Sequence, residues 1–181
     1  MSHKYKFQNP EGLYFVTSSI INWIDIFTRE DYSQIIIESL DYCRKKLGME
    51  IYVWCLMPSH LHLIIRVQGS KPELILGKFK EYTSKRIQSA VKQNPVESRK
   101  DWLVLMFEKA AFESSNVKTG KLWQAGNHPI ELWSTEVISQ KVEYTHMNPV
   151  EAGLVFEPQH WKYSSAIDYS GGKGVLEIDY L

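Results

Sequence analysis

The chain has 181 residues, 44% of them hydrophobic, and a formal net charge of zero, enough for one buried core; a single domain over 1–165 and a C-terminal tail over 166–181 are expected. No stretch approaches the roughly 20 apolar residues of a bilayer span, and the opening MSHKYKFQNPEG has no secretory apolar run, so a soluble cytoplasmic protein is expected. Cys43 and Cys55 lack metal-ligand or redox spacing, which argues against a disulfide framework and a thiolate zinc site.

Behind the turn-forming Asn9-Pro10-Glu11-Gly12, the β-branched and aromatic run LYFVTSSI at 13–20 predicts a first strand. From Thr28, a candidate N-cap, apolar Tyr32, Ile35, Ile36, Leu40 and Cys43 recur at helical spacing, and Gly48 supplies the stop. Residues 51–57 and 61–67 are short apolar runs separated by Pro58 and Ser59, which predicts a strand hairpin. Ser70, Pro72 and Glu73 make a capping-box start for a second helix to about 93, with Leu74, Phe79, Tyr82 and Ile87 on its core side.

That helix lies in the basic third of the chain. Residues 71–122 hold eleven Lys and Arg against six Asp and Glu, whereas 123–181 hold three against eight. A basic helix face is either simply solvated or turned toward a polyanion. Residues 94–100 read as a loop, 102–112 as a third helix and 113–121 as a polar, mobile segment. The stretch LWQAGNHPIELW at 122–133 predicts a strand pair or kinked strand, interrupted by Gly126 and Pro129. Ser134 caps a last helix through about 147, which Asn148-Pro149 should end because proline disfavours helical geometry in the residue before it. The order predicts an α+β, ferredoxin-like (RRM-like) antiparallel sheet with helices packed on one face and an extra C-terminal helix.

Within MPSHLHLIIRV, His60 and His62 interrupt an otherwise apolar strand. Strand side chains alternate, so both imidazoles share one face while Leu61, Leu63 and Ile65 take the other. Such a pair either grips one divalent cation or is a structural pair whose ring nitrogens are all satisfied. The chain is too short for a metal-dependent hydrolase barrel, lacks the Asp-His pair of binuclear zinc hydrolases, and is too helical for a cupin. On the last helix Tyr144 precedes Asn148 by four positions, so phenol and carboxamide can face the same way. The ordinary reading of Tyr144 is a tyrosine at the core boundary.

LMPSHLHLII followed by YTHMNPVEAGLV resembles the REP-associated tyrosine transposases, a branch of the HUH single-tyrosine transposases that act on single-stranded DNA. The resemblance runs from YFVTSSI through WQAGNHPIELW to WKYSSA, nearly the whole chain. It implies that His60 and His62 are metal ligands, that Tyr144 is the nucleophile, and that Asn148 completes the metal site with a carboxamide one methylene shorter than the glutamine of some relatives.

The chemistry so implied is cleavage and rejoining of single-stranded DNA through a 5′-phosphotyrosine, supported by Mg²⁺ or Mn²⁺. The DNA partner is a hairpin or palindromic repeat, in a nucleoid-associated cytoplasmic setting. Lys78, Tyr82, Lys85 and Arg86 of the basic helix are the expected DNA contacts, phosphates on the cations and a base on the ring. Trp102, Trp123, Trp133 and Trp161 are further candidates for stacking, with core packing the alternative. Some relatives are dimers whose tyrosine helix serves the partner's histidines, while REP-associated members can act as monomers; the polar segment at 113–121 permits either arrangement, and a homodimer is the expectation here. Two rivals remain: a non-catalytic nucleic-acid-binding module on an RRM-like sheet, and a metal-dependent phosphoesterase using activated water.

Overall fold

Alternation along strand β1 (Tyr14–Ser19) sends Tyr14 and Val16 into one buried cluster and Phe15 into another. A computed structural model describes residues 6–114 and 120–181, and in it both faces of the central sheet are covered. Two short 3-10 turns, Ile21–Trp23 and Ile26–Thr28, lead from β1 into helix α1 (Glu30–Leu47). Gly48 ends α1 at φ 71°, where a Cβ would lie 2.5 Å from the Gln68 carbonyl oxygen, so glycine is required by both conformation and space. Strands β2 (Met49–Met57) and β3 (His60–Val67) form the hairpin, joined by Pro58 and Ser59. Helix α2 (Pro72–Gln93) and helix α3 (Lys100–Phe112) follow, then strand β4 (Ile130–Glu131), helix α4 (Thr135–Glu151) and the short helix α5 (Ala166–Tyr169).

The sheet order is β2-β3-β1-β4 with every pairing antiparallel, which is the split β-α-β arrangement expected. On one face Ile36 and Leu40 of α1, Leu76, Phe79 and Ile87 of α2 and Leu103 and Phe107 of α3 pack against Val16, Leu61, Leu63 and Ile65. At about 1.5–3 kcal/mol for each fully buried side chain of this size, this layer is the main apolar stabilisation of the fold. The opposite face carries a smaller cluster of Leu13, Phe15, Val53, Ile64 and Leu132, against which Val137, Ile138 and Val142 of α4 are laid. The extra helix therefore lies on the other side of the sheet from α1 and α2. No helix among the described residues is long and apolar enough to cross a membrane.

Several local expectations change. Thr28 closes a 3-10 turn by donating to the Asp25 carbonyl, and α1 starts from Arg29 with no side-chain cap. Helix α2 likewise starts from Lys71, with Pro72 in its first turn and no contribution from a Ser70 capping box. Leu74 and Tyr82 are exposed, and the buried side of α2 is built instead from Ile75, Leu76, Phe79, Thr83, Ile87 and Val91. Helix α3 begins at Lys100, two residues early. Of the strand pair expected at 122–133, the structure forms β4 and one bridge between Ile20 and Trp123. Residues 115–119 of the expected polar segment lie outside the described residues.

Pro149 does not end α4. The Ala152 N–H donates to the Asn148 carbonyl, so helical bonding continues past the proline, and the Leu154 N–H closes the end on the Pro149 carbonyl. A proline in this position withholds an N–H from the Thr145 carbonyl, and the buried Pro149 ring packs in return. The end of the chain, expected as a tail, folds back along the open edge of β2. Ser165 N–H donates to the Trp54 carbonyl, Asp179 N–H to that of Ile51, and Leu176 and Ile178 are buried in the main core. An otherwise unpaired strand edge is thereby covered.

Candidate functional site

The register of β1 against β3 sets Thr17 opposite His62 and Ser19 opposite His60, on the face that α4 crosses. Thr17 Oγ1 lies 2.8 Å from His62 Nδ1, and Ser59 Oγ lies 3.2 Å from His60 Nδ1. The Nδ1 atoms are thus occupied. With Nδ1–H donating to the hydroxyl, each Nε2 carries the lone pair, the tautomer in which an imidazole ligates a metal. His62 Nε2 is buried with no hydrogen-bond partner among the described residues.

The two imidazole rings are 4.7 Å apart, His62 is 5.4 Å from the Tyr144 ring, and Phe15 stacks on His62 at 5.5 Å. Phe15 and Tyr144 meet edge to face at 5.9 Å. One helical turn back, the Lys141 ammonium sits 4.8 Å from the Phe15 ring and 5.2 Å from that of Tyr144. Asn148 donates from Nδ2 to the Tyr144 carbonyl at 3.3 Å, and its carboxamide also reaches His60.

Burial pushes His62 down to about 3, with the neighbouring His60 and Lys141 acting in the same direction. Burial lowers His60 as well, opposed by the hydrogen bond with Asn148. Both rings are therefore neutral at neutral pH, the form that binds a cation. Among the described residues no group of three or more His, Cys, Asp and Glu could hold a metal, so the available donors are two imidazoles and one amide. The orphaned, buried Nε2 of His62 beside a second neutral imidazole fits a divalent cation; a purely structural pair would leave that atom unsatisfied.

His60, His62, Tyr144 and Asn148 thus come together within one chain. The four expected DNA contacts do not join it. Lys78, Tyr82, Lys85 and Arg86 are exposed on α2, across the sheet from the histidines; Lys78 and Tyr82 border a groove with α1, and Lys85 pairs with Glu81 at 2.6 Å. Of the four tryptophans considered, Trp123 is core and Trp161 donates to the Leu56 carbonyl, while Trp102 and Trp133 are exposed. His128 is exposed at φ 42°, outside the regular elements.

Four residues of the site escaped the sequence reading: Phe15, Thr17, Trp23 and Lys141. Phe15 and Thr17 were accessible once β1 was paired with β3, because Phe15, Thr17 and Ser19 alternate on the histidine face. Lys141, three residues before the tyrosine, was accessible from helical spacing. His146, two positions after Tyr144, turns away: its Nε2 lies 2.9 Å from Ser165 Oγ, and burial takes it down to about 4. That serine also accepts from the Trp54 N–H and donates to the Trp54 carbonyl, so α4, β2 and the WKYSSA segment meet at one hydroxyl.

A solved structure of a REP-associated tyrosine transposase bound to a REP hairpin is similar over 100% of this chain and 92% of its own, with a TM-score of 0.66 and 19% sequence identity; it supports the fold. No curated protein matches the chain. The family model described as "Transposase IS200 like" matches residues 19–110, half of the chain, a span that includes both histidines and stops before α4. The chain belongs to the IS200-like transposase family.

Proposed function

We propose that this protein cuts and rejoins single-stranded DNA with Tyr144 as nucleophile, acting on strands that fold into hairpins. The observation that carries the reading is the clustering of Tyr144 and Asn148, more than eighty positions along the chain, against His60 and His62. A divalent cation, Mg²⁺ or Mn²⁺, held by His60, His62 and Asn148 would neutralise the non-bridging oxygens of the scissile phosphate.

The protein supplies the remaining parts. The phenol oxygen of Tyr144 forms a bond to phosphorus as the bond to the 3′ oxygen breaks; the phenolic proton is lost and the 3′ oxygen gains one. The products are a 5′-phosphotyrosine and a free 3′-hydroxyl. Attack by another 3′-hydroxyl reverses the step, so no nucleotide cofactor is consumed. Phe15 holds the His62 and Tyr144 rings in register, and Lys141 adds a positive charge where the phosphate must enter. An RRM-like binding module would need this sheet face open, but α4 covers it.

The test is to incubate the wild type and Tyr144→Phe with Mn²⁺ and single-stranded hairpin DNA labelled at the phosphate, denature, and look for label on protein. Labelled wild type and unlabelled variant of equal thermal stability are expected. Cleavage with no labelled protein at any time would assign the chemistry to activated water.

A further inference from the structure

The turn between β1 and α1 carries a residue that neither the sequence motifs nor the family match singles out. Trp23 is 59% exposed, although it is among the largest apolar side chains in the chain. Its backbone sits at φ 55°, following Asn22 at φ 51°, two successive non-glycine residues in the left-handed region. Such a conformation is held only where the surroundings over-determine it. They do so here: Ile20 and Ile21 N–H donate to the carbonyls of Ser59 and Leu122, Phe27 N–H donates to that of Pro58, and Ile20, Ile21 and Ile24 are buried on either side.

This rigid turn presents the indole edge-on to His60, with ring centroids 5.5 Å apart. The rings Tyr144, His62, His60 and Trp23 are therefore successive neighbours, with Trp23 at the far end from the tyrosine. Beyond Trp23 opens a cavity of about 620 Å³ lined also by Asn22, Lys109, Lys121 and Gln124, with Glu113 as its one acid among the described residues. An exposed aromatic bordered by cations and amides suits an unpaired nucleotide, base on the ring and phosphate on the ammonium groups.

We infer that Trp23 stacks on the base immediately 5′ of the scissile phosphate. The side is fixed by chemistry. In-line attack by Tyr144 places the leaving 3′ oxygen opposite the phenol, and that oxygen belongs to the nucleotide on the 5′ side of the cut. In the run of ring contacts both histidines separate Trp23 from Tyr144, the side assigned to that nucleotide. The inference rests on the proposed nucleophile for its polarity, while the stacking itself is read without any chemistry.

Binding is measured in a Tyr144→Phe background to hairpins with and without single-stranded flanks. Trp23→Ala is expected to weaken binding of the flanked hairpin about 10-fold, to leave the blunt hairpin unchanged, and to keep the melting temperature; Trp23→Phe should recover most of the loss. Equal affinity of Trp23→Ala for the flanked hairpin overturns the inference. At the cut position that the otherwise wild-type protein defines, an abasic nucleotide on the 5′ side should slow adduct formation as much as Trp23→Ala does, with no further loss when the two are combined. Additive losses, or the same non-additivity for an abasic nucleotide on the 3′ side, overturn the assignment. Loss of all labelled adduct in the wild type rejects the nucleophile and leaves the binding comparison to decide on Trp23.

Discussion

The hydroxyl of Thr17 is the hydrogen-bond partner that orients His62, since the other ring nitrogen has none among the described residues. Thr17→Val keeps the shape and deletes the hydrogen bond. Calorimetric titration should then show Mn²⁺ affinity about 10-fold weaker, the range found when a partner that orients a metal-bound histidine is lost. Unchanged affinity would detach Thr17 from the site. His60→Ala and His62→Ala should each abolish both the Mn²⁺ signal and DNA cleavage while leaving much of hairpin binding. Asn148→Ala should be milder, because water can replace one amide oxygen around such an ion. A loss as complete as that of His60→Ala would raise Asn148 to an equal ligand. Its helical position past Tyr144 makes circular dichroism a necessary control for this variant.

Between α2 and α3, the segment read as a plain loop contains a buried carboxylate. Glu97 takes Arg29 Nε at 2.6 Å, the Tyr32 hydroxyl at 3.2 Å and the Arg99 N–H at 3.1 Å, tying the start of α1 to the start of α3. Burial alone would raise its carboxyl; the Arg99 N–H and the Arg29 guanidinium outweigh burial and hold it below the ordinary value of 4.5. A depressed carboxyl stabilises the fold above its unfolded pKa, and that contribution fades as pH falls below 4.5 and through the folded value. Glu97→Gln should accordingly melt lower than the wild type at pH 7, with the gap narrowing through the acid range. A gap that does not change with pH would show that charge is not what Glu97 contributes. Nothing in the local sequence marks this glutamate as buried, because Arg29 and Tyr32 reach it from the distant start of α1. The hairpin, the end of α1 and the start of α4 were legible for the opposite reason: Gly48 and Ser134 act through their own backbone neighbours. The exposed Tyr82 and buried Ile75 show the limit, since a 22-residue helix offers several apolar arcs and only the packed sheet selects one.

Across the whole molecule, the site is assembled by two layers that the sequence order keeps apart. The hairpin brings the histidines, α4 brings the tyrosine, and the terminal segment along β2 holds α4 in place through His146 and Ser165. The split β-α-β frame was readable from element order alone. The placement of α4 on the far face was not, because the apolar residues of α4 that meet the sheet are only partly buried. Ser165→Ala would strand the His146 nitrogen and the Trp54 N–H together, and should lower stability by about 2 kcal/mol in urea unfolding. If α4 is positioned by this hydroxyl, the adduct yield with hairpin DNA should fall as well, at temperatures where the variant is fully folded.

The same pin has a consequence for strand exchange. On the proposed mechanism, a 5′ end joined to Tyr144 would hang from a helix fixed at the middle by His146 and at its end by the buried Pro149. Held in this way, α4 would keep the attached strand beside the histidines. Rejoining then becomes a matter of which free 3′ end arrives at a stationary donor, and the length and pairing of the DNA outside the protein, not a protein stroke, would set which ends are sealed.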